Sequence, residues 1–237
     1  MNSNKIKVLQ DALHRYSRSG FNIPNSSNPR HIKLYKELVY DSFDNELSKI
    51  FILTKKTFGI YNWRNIIIFF ISSYDCDFQF KWMLPLKFHN FLINHKLYKI
   101  INICYLYDLI QFEACKYEIM IMKDMFFKSN LYELTNHSYI INPESKKIIF
   151  KFPVHIKKPE DILESDKKLF KIVIYRDCNS KNLKLIELDH FKSKIYNLLK
   201  TESFEKELLI DKFKEIDKKS IEFAIEEMLT CSLVLLI

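Results

Sequence analysis

Glycine is almost missing: two occur in 237 residues, Gly20 and Gly59. Phosphate-cradling loops and doubly wound α/β folds need glycine where the backbone turns tightly or approaches a ligand. Its scarcity disfavours both and favours helices. Cysteine is sparse, and Cys76, Cys104, Cys115, Cys178 and Cys231 include no C-x-x-C pair and are odd in number. That usage points to reduced thiols in a cytoplasmic protein rather than to a disulfide framework. Long apolar runs are missing too. Residues 66–71 are apolar, but a membrane span needs about 20, and residues 1–20 are polar and helical in pattern, unlike a signal peptide. The seven histidines, His14, His31, His89, His95, His137, His155 and His190, form no H-x-x-x-H or H-E-x-x-H motif. Asp75-Cys76-Asp77 has cation-binding side chains but the composition of an ordinary turn. No nucleophile–base set can be assembled, so no independent catalysis, resident cofactor or metal is expected.

Positive charge is in excess but not concentrated. The net +8 divides into about +5 before Lys146 and +3 from there on, whereas nucleic-acid binding usually shows as a clustered basic stripe. A hydrophobic content of 48% with 28% charged residues is that of a soluble globular chain. The length suits one large domain or two small ones.

Residues 6–16 carry Ile6, Leu9, Leu13 and Tyr16 at helical spacing. Residues 22–29 are a loop by composition. A helix then starts near Pro29, with Ile32, Tyr35, Leu38, Val39, Phe43, Leu47 and Phe51 on one face. Residues 57–59 break the pattern, and residues 63–73 are apolar almost all round, as the central helix of a bundle would be. Further helical patterns cover 81–95 and 98–127. The expected architecture is an all-α domain over 1–135, a linker over 136–146, and an α+β domain over 147–237.

The second domain is organised around residues 169–188. Two β-rich runs, 170–175 and 183–188, flank the turn-forming Arg-Asp-Cys-Asn-Ser-Lys-Asn cluster at 176–182, which makes a hairpin. Residues 147–156 read as a further strand, with Pro153 marking an edge or a bulge. Three helical patterns follow. Three strands and then three helices make a winged-helix-like module with a groove between its last strand and its last helix.

The chain resembles the HvfC/BufC-type partner proteins of multinuclear non-haem iron-dependent oxidative enzymes. In the N-terminal half the likeness rests on Arg30, Leu34-Tyr35, Val39-Tyr40, Phe43, Leu47, Phe51 and Gly59. It continues in the helix at 63–74, in Phe91-Leu92, and in Tyr105-Leu106-Tyr107-Asp108-Leu109-Ile110-Gln111-Phe112-Glu113. Phe112-Glu113 stands where the family usually has Glu-Trp, and Phe51-Ile52 where Phe-Pro is common. In the C-terminal half it rests on Phe152-Pro153-Val154, on 169–177 with its Tyr-Arg-Asp, and on 183–188. The resemblance implies a non-catalytic subunit that holds the leader of a ribosomally made (RiPP) precursor peptide through a RiPP recognition element. An iron oxidase, which carries the iron itself, would modify side chains of that peptide, often cysteines. Expected partners are that oxidase and the precursor peptide, with no specific nucleic acid and no membrane.

The residues expected to hold the peptide are Leu183, Lys184, Leu185, Ile186, Glu187 and Leu188 on the strand, and Glu222, Phe223, Glu226 and Glu227 on the last helix. An extended peptide gains main-chain hydrogen bonds from a free sheet edge, and side-chain pockets supply selectivity. Phe223 lies off the helix's core stripe of Ile221, Ala224, Ile225, Met228 and Leu229. It serves either as an anchor or in packing against a neighbouring helix or domain. The alternative function is a winged-helix DNA-binding transcriptional regulator. Against it, three glutamates on the recognition helix would face phosphates.

Overall fold

The computed structural model describes residues 29–73, 81–122, 138–213 and 216–236. The helix expected at 6–16, most of the loop at 22–29 and Asp75-Cys76-Asp77 lie outside the described residues. The architecture is α+β and mostly helical, as expected. The chain divides into two compact units, Met1–Ala114 and Cys115–Ile237.

The first unit holds α1 (Pro29–Ile50), α2 (Ile52–Ser73), α3 (Leu84–Asn94) and the start of α4 (Leu106–Ile121). The apolar stripe of α1 is realised in its C-terminal half, where Phe43 and Leu47 are buried, and in Phe51 just past its end, whereas Leu38 is exposed. Phe51, Trp63 and Phe70 meet Phe88 edge-on at 5.5, 5.4 and 5.1 Å between ring centroids, the geometry that ring quadrupoles prefer. Burying Trp63 obliges its indole N–H to find an acceptor, and Asp44 Oδ1 accepts it at 2.7 Å. Burial opposes the Asp44 charge, but hydrogen bonds from Lys55, Trp63 and Ser48 hold its carboxyl below the ordinary value. The N-terminus of α2 is capped from a distance. The Glu113 carboxylate, 6% exposed, accepts from the Leu53 and Thr54 amides at 2.8 and 2.9 Å, where helix amides lack intrahelical partners and favour a negative charge. The break expected at 57–59 is a kink at Gly59, whose φ of 76° is left-handed, so the helix resumes rather than starts at Trp63. Its second half is not buried all round, because Ile68 and Phe69 are exposed.

In the second unit β2 (Ser145–Phe150), β3 (Phe170–Arg176) and β4 (Leu183–Glu187) form an antiparallel sheet in the order β2-β3-β4. The strand expected at 147–156 therefore ends at Phe150, and the chain turns before Pro153. Ile172, Val173, Ile174 and Tyr175 are all within 1% of full burial, so both faces of β3 are covered, which explains its unbroken apolar run. Val173, Tyr175 and Leu188, with Ile186 beside them, pack into one core with α5 (His190–Thr201), α6 (Lys206–Asp211) and α7 (Lys218–Thr230). On the other face the β2–β3 connection returns, and the His155 ring lies against Phe150 and Phe170. Asp189 and Asp217 cap α5 and α7 by accepting from the Lys192 and Ser220 amides at 2.7 and 3.2 Å.

A second sheet was not expected. The expected linker is 136–146, yet β1 (Ser138–Ile141) is the middle strand of the order β5-β1-β6, between β5 (Phe204–Glu205) and β6 (Val234–Leu236). Tyr139 and Ile141 alternate into the core, a period-two signal too short to stand out beside Pro143 and the polar residues around it. The fully buried Asn142 then ties the sheets together. Its Nδ2 donates to the Arg176 and Ser232 carbonyls at 2.8 and 3.0 Å, and its Oδ1 accepts from the Glu144 amide at 2.9 Å. Glycine scarcity leaves a trace as well: Lys96, Asn102, Lys181 and Ser232 take positive φ themselves, each at a cost of about 1 kcal/mol. Among the described residues no helix is long and apolar enough to cross a membrane.

Candidate functional site

The β3–β4 turn is fixed by its own side chains. Asp177 Oδ2 accepts from the Ser180 hydroxyl and amide at 2.6 and 3.1 Å, and Lys184 Nζ lies 3.3 Å away. Those two Ser180 bonds, with the Lys184 contact helping, hold the Asp177 carboxyl well below the ordinary value. Where β3 enters the turn, Arg176 Nη2 donates to the Ile119 and Met120 carbonyls near the end of α4 at 2.9 and 2.7 Å, and its Nε pairs with Glu144 at 2.9 Å. Lys184 is thus drawn toward the turn, with its side chain still half-exposed.

β4 is an edge strand, and the register says which of its groups face outward. Val173 pairs with Ile186, Ile174 with Leu185 and Ile172 with Glu187. The Leu188 amide donates to Lys171 O at 2.7 Å, and the Asp177 amide to Asn182 O at 2.9 Å. Hydrogen-bonded pairs alternate in an antiparallel ladder, so Lys184, Ile186 and Leu188 spend their backbone groups on β3. Leu183, Leu185 and Glu187 turn theirs to the free edge. Side chains divide as well: Ile186 and Leu188 face the helical core, Leu188 being buried, while Leu185 and Glu187 are exposed.

On α7, Phe223 is 68% exposed, which leaves it unpacked within the described structure. With Glu226, Glu227, Thr230 and Cys231 it lines a shallow depression of about 480 Å³. No residue of β4 lines it. The ten residues expected to form one groove therefore fall into two places, an open strand edge and a depression on α7, joined beneath by a shared core. The glutamates also differ from one another. Glu222 pairs with Lys206 at 3.3 Å, and Glu227 pairs with Lys192 at 2.6 Å. Glu226 alone of the three has no cation beside it among the described residues. Lys192 also lies 3.9 Å from Asp189, directly after β4, and so connects the two halves. Sequence reasoning missed it because its partners sit 3 and 35 positions away on different elements.

A search for chemistry among the described residues finds no group of three or more His, Cys, Asp or Glu arranged to hold a metal. Cys115 is buried and its thiol is pushed up to about 12 by that burial, so it stays protonated and unreactive at neutral pH. Glu113 and Glu118, five apart on α4, do separate work: Glu113 caps α2 and Glu118 pairs with Lys146. A scan against protein-family models and a search of curated proteins both return no match.

Proposed function

We propose that this chain is a non-catalytic partner subunit that binds the leader of a ribosomally made precursor peptide and presents it to a separate iron-dependent oxidase in the cytoplasm. The observation that carries the reading is the free edge of β4. Three outward-facing residues, Leu183, Leu185 and Glu187, offer amides and carbonyls unused among the described residues, and such an edge binds an extended peptide by strand addition. In the separate depression on α7, Phe223 and Glu226 supply an aromatic surface and a carboxylate with no cation beside it among the described residues, suited to an apolar and a basic leader residue. The oxidase rests on the family resemblance alone. The order α5–β5–α6–α7–β6, with β1 as the middle strand, also supports a winged-helix-like module.

Co-expression with a multinuclear non-haem iron oxidase of the kind the resemblance implies, followed by size exclusion, tests the assignment. A one-to-one complex without added peptide is expected, and the isolated chain should carry no stoichiometric iron on elemental analysis. Two separate peaks at micromolar concentration would remove the oxidase from the reading.

The DNA-binding alternative draws support from two observations on α7. Lysines neutralise Glu222 and Glu227, so α7 presents one unpaired carboxylate rather than three, and Lys218 and Lys219 are exposed in its first turn.

A further inference from the structure

His155 is a buried polar group with no evident structural task. Its side chain is 8% exposed, and neither ring nitrogen has a hydrogen-bond partner among the described residues. A neutral imidazole carries one N–H donor and one acceptor, and folds seldom bury such groups unpaired. The ring lies against Phe150 and Phe170, with Nε2 3.8 Å from Glu187 Oε2. That distance is too long for a hydrogen bond but suits an ion pair once the ring is protonated. Glu187 sits on β4 with its backbone groups toward the free edge and its side chain 47% exposed.

We propose that His155 and Glu187 form a proton-operated contact linking occupancy of the β4 edge to proton uptake. This rests on the reading of β4 as a peptide-docking edge. Two charged groups bear on the ring: Glu187 from β4, which favours the imidazolium, and Lys168 from the β2–β3 connection, which opposes it. The Lys168 ammonium lies over the same Phe170 ring, 4.6 Å from its centroid. In the free chain burial is the largest influence and holds the imidazole below its ordinary value, so the ring is neutral near pH 7. Water at Glu187 weakens the attraction that would charge it. A strand laid along β4 takes that water from Glu187 while His155, already buried, loses little more. Coulomb attraction across 3.8 Å rises as the local dielectric falls. The imidazole then accepts a proton from solvent at Nε2, and its positive charge is offset by the carboxylate. Because the bound state holds the proton more tightly than the free state, affinity rises as pH falls through the bound-state pKa and levels off below the free-state one.

The probes are peptides selected from a random display library on the whole chain and counter-selected against its Leu185→Pro variant, so that they depend on the β4 edge. Calorimetric titration between about pH 7.5 and 5.5 spans the histidine range. The wild-type chain should bind about tenfold more tightly at the acid end for each unit by which binding raises the imidazole pKa. It should also take up protons in buffers of different ionisation enthalpy. His155→Gln and Glu187→Gln should bind with a flat pH profile. In the free chain the His155 ring should titrate by NMR below the ordinary histidine value of about 6.5, and lower still in Glu187→Gln. A flat wild-type profile, an unchanged slope in His155→Gln, or a free-state His155 that titrates at or above the ordinary value would each overturn the proposal while leaving β4 docking intact. A library that yields no peptide able to tell the wild type from Leu185→Pro would take both readings down.

Discussion

Proline placed at Leu185 and proline placed at Ile186 differ by one position and should act on different properties. Ile186 is in a hydrogen-bonded pair with Val173. Proline there removes an amide whose bond is worth about 1 kcal/mol net and strands the Val173 carbonyl inside the sheet, adding about 1–3 kcal/mol. A loss near 3 kcal/mol is a large part of a stability of about 5–15 kcal/mol and should lower the thermal midpoint by roughly 6–12 °C at this chain length. The Leu185 amide faces the open edge and its side chain is 42% exposed. Proline is tolerated on the open side of an edge strand, so about 1 kcal/mol or less of stability should go. Peptide affinity should fall at least about tenfold, the equivalent of about 1.4 kcal/mol, because an edge donor is lost and the ring obstructs the incoming strand. Thermal unfolding and fluorescence anisotropy with a labelled peptide selected on the wild-type chain alone, without counter-selection, measure both quantities on both variants. If Leu185→Pro unfolds and Ile186→Pro melts like the wild type, the bonding alternation along β4 is inverted. If Leu185→Pro folds and binds with undiminished affinity, the peptide does not use this edge.

Phe223→Ala should leave the thermal midpoint nearly unchanged, within about 0.5 kcal/mol, because an exposed ring contributes little to the fold. If the ring anchors a bound peptide, the same change should weaken binding by about 2 kcal/mol, some thirtyfold, measured by calorimetry; a large drop in midpoint with unchanged affinity would make the residue structural. In gel shifts at about 150 mM salt, duplex DNA should bind no tighter than roughly 10⁻⁶ M, the non-specific range, and nanomolar, sequence-dependent binding would favour the regulator reading.

Several features were legible in order along the chain. The hairpin at 170–188 follows from two β-rich runs and a turn cluster, and the structure adds only that Asp177 fastens the turn. The core stripe of α7 was read from spacing, and Ile221, Ala224, Ile225 and Met228 are buried. Phe223 was placed off that stripe, and it is exposed. Helix boundaries were less clear. α2 begins at Ile52 because Glu113, about sixty positions away, caps it, and no local pattern carries that information. The linker over 136–146 was misread for a similar reason. β1 is four residues long, and its partners are two and three residues long and lie near the end of the chain.

By itself the sequence determined what depends on near neighbours: helical and strand periodicity, the hairpin turn, and the scarcity of glycine. Tertiary structure decided what depends on segments far apart in sequence. It chose which amides of β4 face the open edge, because bonding alternation is set by register against β3. It paired Glu222 with Lys206 and Glu227 with Lys192 and left Glu226 unpaired, because those lysines reach α7 from other helices. It laid the His155 ring against two phenylalanines beside Glu187, because the β2–β3 connection folds back over its own sheet. Local spacing fixes which face a residue occupies, and only the packed chain fixes what that face meets.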